Sequence, residues 1–251
     1  MFIHPTLDHL RTLRLTGMAK ALEEQMQTAD IDSLTFEQRL GLMVDREVIE
    51  RQNRNLKTRL RKAGLRQSAS VEDIDYRHPR GLDKALLAKL QSCGWIKEHH
   101  NLIITGPTGT GKTFLACALA HKACREGFSS LYLRAPRFLQ DLLISKGDGR
   151  FARLLSSIAR TNLLLLDDWG MSKLTLEQSR DLLELFDDRH GLKSTVITSQ
   201  FPIEHWHEII GDPTLADAIL DRIIHDAYKI TLKGESMRKK KSKLTPSPLK
   251  E

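Results

Sequence analysis

Gly106-Pro107-Thr108-Gly109-Thr110-Gly111-Lys112-Thr113 fits the pattern G-x-x-x-x-G-K-[ST] at every position. Glycines let successive backbone N–H groups turn toward an anion without Cβ clashes, and a helix starting behind the loop adds the partial positive charge of its N-terminus. Lys112 is expected to reach the β- and γ-phosphates of a nucleotide, and Thr113 to ligate Mg2+. Farther along, Leu163-Leu164-Leu165-Leu166-Asp167-Asp168 is an apolar run ending in two carboxylates. A buried strand would bring Asp167 to the hydration shell of Mg2+ and set Asp168 to polarise an attacking water. Ser194-Thr195-Val196-Ile197-Thr198-Ser199-Gln200 is a strand whose polar end falls in the crevice where open α/β sheets bind ligands. Gln200 or Ser199 is therefore a candidate to hold that water or sense the γ-phosphate, an ordinary strand-end cap being the plainer reading. Leu220-Asp221-Arg222-Ile223 offers an arginine that would complete a neighbouring subunit's site. The alternative for Arg222 is a local ion pair with Asp221 or Asp226.

The flanking pattern supplies the elements these residues need. Asn101 to Thr105 reads as a buried strand entering the loop, and Phe114 to Ala120 as the start of a helix leaving it. Ser130 to Leu133 and Tyr228 to Leu232 read as further strands, with helices over Pro136–Ser145, Phe151–Arg160, Thr175–Arg189 and Leu215–Ala227. Thr175-Leu176-Glu177-Gln178 is a capping box. Ahead of the loop, Leu7, Leu10, Leu13, Met18, Leu22 and Met26 suggest two short amphipathic helices broken near Gly17. A longer helix is expected from the capping box Thr35-Phe36-Glu37-Gln38 to Gly64, with Phe36, Leu40, Met43, Val44 and Val48 on its apolar face. Gln67 to Arg80 is polar and reads as a linker. The expected organisation is a helical N-terminal domain over 1–70, a nucleotide-binding domain over 71–233, and a basic tail over 234–251 that is disordered when free.

The chain of 251 residues carries a formal net charge of +7, which favours an acidic partner, nucleic acid before anionic membrane. The positive charge is concentrated in Arg51, Arg54, Lys57, Arg59, Arg61, Lys62 and Arg66, with no acidic residue between Arg51 and Arg66. Like charges this dense weaken an isolated helix, so contact with DNA phosphates is one expectation, and a solvated helix face or one packed against acidic groups of the same fold is the other. No apolar run approaches the ~18 residues of a membrane span, and the N-terminus lacks a signal core, so a soluble cytoplasmic protein is expected. The odd number of cysteines, Cys93, Cys117 and Cys124, shows no C-x-x-C spacing, which favours reduced packing residues over disulfides or zinc. His207-Glu208-Ile209-Ile210-Gly211 begins like a zinc-protease motif but lacks the second histidine.

Taken in order, the phosphate loop, Leu164-Leu165-Leu166-Asp167-Asp168-Trp169-Gly170, Val196 to Gln200, Leu220 to Ile223 and Gly234-Glu235-Ser236-Met237-Arg238 resemble the IstB-like ATP-binding proteins, the transposition helpers of bacterial insertion sequences. More distantly they resemble the DnaC helicase loaders. The resemblance covers nearly the whole chain. It implies an AAA+ P-loop NTPase with a five-stranded parallel sheet in the order 5-1-4-3-2 flanked by helices, after a small all-helical N-terminal domain. It also implies a bacterial ATPase that uses ATP and Mg2+, assembles with itself as a ring or filament on double-stranded DNA, and delivers bent target DNA to a cognate transposase. Carried over by motif, Asp167 is the Mg2+ aspartate, Gln200 the first sensor, Arg222 the arginine finger and Arg238 a second sensor. Asp168 departs from the glutamate common in AAA+ proteins, and the shorter side chain suits a slow, switch-like hydrolysis. Other readings are a loader placing a helicase on single strands, a nucleotide-gated architectural DNA binder, and a phosphate-loop kinase, for which no acceptor pocket or lid is legible.

Overall fold

The computed structural model describes residues 5–237. Their contacts divide the chain into two compact units between Thr58 and Arg59, inside a helix and ahead of the residue-70 boundary expected from composition. The first unit holds α1 (Pro5–Thr12), α2 (Thr16–Gln27) and most of α3 (Phe36–Ala63). Both arms of the Thr35 capping box form, and Gly64 closes α3 at φ +57°. Gly17 lies so close to α3 that an added Cβ would stand 2.6 Å from the Glu47 Cα. Glu47 is 5% exposed and accepts from the Gly17 N–H and from Arg51 Nε, each at 2.6 Å. The expected apolar face of α3 is not buried: Phe36, Leu40, Val44 and Val48 are exposed, while α2 meets α3 through Glu47, Glu50 and the Arg39 carbonyl.

The second unit is built on five parallel strands: β1 (Asn101–Thr105), β2 (Ser130–Arg134), β3 (Leu163–Trp169), β4 (Ser194–Ser199) and β5 (Ala227–Thr231). Their order is β2-β3-β4-β1-β5, the order that the resemblance implies. Side chains alternate across such a sheet, so Leu102 and Ile104 enter one core and Ile103 the other. On the first face pack α4 (Lys84–Gln91), α5 (Gly94–Lys97) and α6 (Lys112–Arg125), through Leu87, Leu90, Trp95, Leu115 and Leu119. On the second pack α7 (Ala135–Gly147), α8 (Phe151–Ala159), α9 (Leu176–Arg189), α10 (Trp206–Ile210) and α11 (Pro213–Ile224). Both arms of the Thr175 capping box are present at the start of α9.

Two expectations are corrected here. The 67–80 stretch is not a linker: Ala69, Val71 and Ile74 enter the first-face core, and the Arg80 side chain is 3% exposed. Helix α11 also stops at Ile224, so that Ala227 already pairs with Asn101 as the start of β5. Cys93, Cys117 and Cys124 are buried and free, and burial pushes the Cys93 thiol up to about 11. Arg189, 1% exposed, donates to the carbonyls of Ile158, Thr161 and Ser194, fastening the start of β4 to the end of α8. Burial pushes its guanidinium down to about 9, which still leaves it charged at neutral pH. Among the described residues, no helix is long and apolar enough to cross a membrane.

Candidate nucleotide-binding site

At the carboxyl ends of the strands the chain passes from β1 into the loop 106–111 and on into α6. Gly106, Gly109 and Gly111 hold φ of +142°, +86° and +96°, values that side chains rarely adopt, so the loop's curvature depends on glycine. All three are also crowded, Gly106 and Gly109 most tightly. A Cβ on Gly106 would meet the Leu232 carbonyl oxygen at 2.3 Å, and one on Gly109 the Ser236 hydroxyl at 2.2 Å. The Met237 N–H donates to the Gly109 carbonyl at 2.9 Å, so the segment after β5 lies against the loop. Lys112 donates from Nζ to the carbonyls of Gly106 (2.6 Å) and Pro107 (2.9 Å), and Thr110 from its hydroxyl to Pro107 (2.9 Å).

Thr113, one residue into α6, donates to Asp167 Oδ1 at 2.9 Å. Asp167 is fully buried at the end of β3, and its carboxylate also accepts from the hydroxyls of Thr198 on β4 and Tyr132 on β2, the latter at 2.7 Å. Burial first, and then the bond to Asp167, raise the Tyr132 hydroxyl above its ordinary range, so it remains a donor. Asp168 has a left-handed backbone, φ +61°, at the point where the β3–β4 register shifts between Leu166 and Trp169. Its carboxylate accepts from Arg134 Nε at 2.8 Å, and its N–H donates to the Thr198 hydroxyl at 3.3 Å. Gln200 follows β4 and accepts from the Thr108 hydroxyl at 2.7 Å. The loop, Thr113, Asp168 and Gln200 therefore line one cavity of about 690 Å3, within the usual range for ligand sites, with Asp167 buried behind Thr113.

The residues present fit a Mg2+–nucleotide. The loop amides and Lys112 line the cavity, and Thr113 beside Asp167 supplies the hydroxyl and carboxylate oxygens that Mg2+ prefers, leaving its other positions to phosphate and water. A model of the IstB-like ATP-binding protein family matches residues 8–245. The chain belongs to that family. A putative insertion-sequence ATP-binding protein of Sinorhizobium fredii is 52% identical over 239 residues, covering 95% of this chain and 98% of its own. One from Pseudomonas fluorescens is 50% identical over 203 residues, covering 80% and 88%. Among solved structures, DnaI is similar with a TM-score of 0.55 at 24% identity, covering 66% of this chain and 91% of that one. The DnaC helicase loader is similar with a TM-score of 0.51 at 22% identity, covering 62% and 93%. At these identities the likeness shows the AAA+ fold. This IstB-like chain is thus an ATP-binding protein of AAA+ type.

Some other candidate residues lie away from this cavity or outside the described residues. Arg222 is not at its own chain's loop. It pairs with Asp187 on α9, not Asp221 or Asp226, and donates to the Ala218 carbonyl. The Asn101 side chain, at the start of β1, donates to the Arg222 carbonyl, which puts this arginine by the end of the sheet opposite Gly106. Arg238 lies outside the described residues. Of the basic stretch, Arg51 and Arg54 pair with Glu47, Arg59 donates to the Cys124 carbonyl, and Arg66 faces Asp167 and Asp168. Acidic groups of the same fold thus meet Arg51, Arg54 and Arg66. The side chains of Lys57, Arg61 and Lys62 are exposed and make no hydrogen bond or ion pair among the described residues. Sequence reasoning also missed Tyr132, Arg134, Thr198 and Arg80. Arg80 donates to the Thr110 carbonyl at 3.2 Å and backs the loop where a Cβ on Gly111 would lie 2.7 Å from its Nη1. Only the parallel register, setting Arg134 beside Asp167, carried a signal for the β2 pair.

Proposed function

We propose that this protein hydrolyses ATP at the 106–113 loop and assists DNA transposition by assembling on duplex DNA and presenting it to a cognate transposase. The observation that carries the reading is the Thr113–Asp167 pair, 2.9 Å apart beside Lys112, in a chain related to insertion-sequence ATP-binding proteins. Bound Mg2+–ATP supplies the phosphoanhydride bond and a counter-charge for its oxygens. Lys112 swings from the Gly106 and Pro107 carbonyls to the phosphates, while Tyr132 and Thr198 keep the Asp167 carboxylate aimed at the metal position. Asp168 accepts the proton of the attacking water, and Gln200 orients that water from the other side of the cavity. Arg222 acts on the site of an adjoining copy, a role supported by its distance from its own loop across the length of β1, roughly 16 Å of strand. Lys57, Arg61 and Lys62 meet DNA phosphates.

The test is steady-state ATP turnover and nucleotide affinity, each with and without duplex DNA, for the parent, Lys112→Ala and Arg222→Ala. Lys112→Ala is expected to lose binding and turnover together. Arg222→Ala is expected to bind nucleotide normally while turnover falls about 10³-fold, as for an arginine finger. Turnover indifferent to both substitutions would refute the proposal.

A further inference from the structure

The carboxylates of the nucleotide site already have a cation. Arg66, just past the end of α3, places Nη1 at 3.5 Å from Asp167 Oδ2 and 3.6 Å from Asp168 Oδ2. Asp167 has no contact with solvent, and its three hydroxyl donors are neutral, so Arg66 sets a positive charge against a carboxylate that water does not reach. On the other flank Asp168 is bonded by Arg134 at 2.8 Å, a proper charge-assisted distance. The Arg66 contacts are longer than that. They bridge two carboxylates through a single nitrogen, and the side chain is 43% exposed, so it can leave without disturbing the core.

Arg66 also shares its neighbours with the proposed metal position. Thr113 and Asp167, the two protein groups suited to Mg2+, are bonded to each other directly beneath the guanidinium. A dication and a guanidinium cannot occupy the same few ångströms beside Asp167 without strong repulsion in a site this buried. We propose that Arg66 is a tethered counter-ion for the Asp167–Asp168 pair, displaced when Mg2+–nucleotide binds, so that loading the site is an ion exchange. This rests on reading Thr113 and Asp167 as the Mg2+-binding groups. The displaced guanidinium returns to the basic stretch, where it adds a free positive charge to those of Lys57, Arg61 and Lys62. Nucleotide binding then raises affinity for a polyanion without adding a contact of its own.

The experiment titrates Mg2+ against binding of a fluorescent ATP analogue to the full chain, in the parent, Arg66→Ala, Arg66→Lys and Lys112→Ala. For Arg66→Ala the Mg2+ concentration at half-maximal binding is expected to fall about 5-fold, the worth of one partly exposed ion pair. Arg66→Lys should lie between it and the parent, and binding in EDTA should not change. Melting curves give a second readout: Mg2+ alone should stabilise Arg66→Ala more than the parent, because the variant removes the Arg66 ion pair from Asp167. An unchanged Mg2+ requirement, or weaker Mg2+–nucleotide binding by Arg66→Ala, overturns the proposal while leaving the site's assignment standing. Binding by Lys112→Ala equal to that of the parent instead refutes the assignment itself, and with it the exchange.

Discussion

Asp168 shows how a single residue type can be set by backbone as well as by chemistry. At φ +61° it occupies the left-handed region, where a short side chain that bonds locally is tolerated and a longer one is not favoured. That gives a physical reason for aspartate where most AAA+ proteins carry glutamate. Asparagine tolerates the same conformation, so Asp168→Asn is expected to melt within about 1 kcal/mol of the parent. Its ATP turnover should nonetheless fall by about 10² or more, the usual contribution of a general base. Asp168→Ala should lose turnover equally and also cost about 1 kcal/mol in thermal melts, having no such tolerance. Equal turnover in Asp168→Asn and the parent would remove Asp168 from the chemistry. The pair Asp167-Asp168 was legible in sequence because an apolar run ends on it. Its backbone twist was not, since the bulge is imposed by pairing with β4. Arg66 was legible as a charge but not as a partner of Asp167, which is about a hundred residues away in the chain.

At the scale of elements, most of the second unit could be read in advance because its strands are continuous apolar runs and its helices carry caps at Thr175 and glycines at their ends. The short helices α5 and α10 escaped, having too few turns to show a period. The 67–80 segment was misread for a related reason: Ala69, Val71 and Ile74 are isolated apolar residues among polar ones, and only the fold reveals that they share a core. The loop between β1 and α6 illustrates the reverse, a motif whose packing exceeds what its pattern requires. Gly106 answers to the phosphate and also to the Leu232 backbone at the end of β5. Gly106→Ala should therefore destabilise the nucleotide-free protein by about 2–4 kcal/mol, since backbone must shift to admit the methyl. Gly127→Ala, also at positive φ (+97°) but with open space around it, should cost only about 1–2 kcal/mol. Thermal denaturation without nucleotide compares them directly, and equal losses would show that Gly106 serves the ligand alone.

For the molecule as a whole, the question is which of its many cations remain available to DNA. Net charge predicts a polyanion partner but overstates the available groups, because folding has already spent several of them: Arg51 and Arg54 on Glu47, Arg59 on a carbonyl, Arg66 on the site's aspartates. Each phosphate contact contributes about 0.9 to the slope of log affinity against log salt. Replacing Lys57, Arg61 and Lys62 together by alanine should flatten that slope by about 2–3, with little effect on melting because these side chains make no hydrogen bond or ion pair among the described residues. Replacing Arg51 and Arg54 should do the opposite, leaving the slope nearly intact while lowering the melting temperature, since buried Glu47 would keep only backbone partners. Anisotropy of a labelled duplex between 50 and 200 mM salt, run beside thermal melts, reads both quantities. Saturating Mg2+–nucleotide should steepen the parent's slope by about 1 as Arg66 joins the free set, and should not steepen that of Arg66→Ala. A triple variant that keeps the parental slope would place the DNA on another face of the protein.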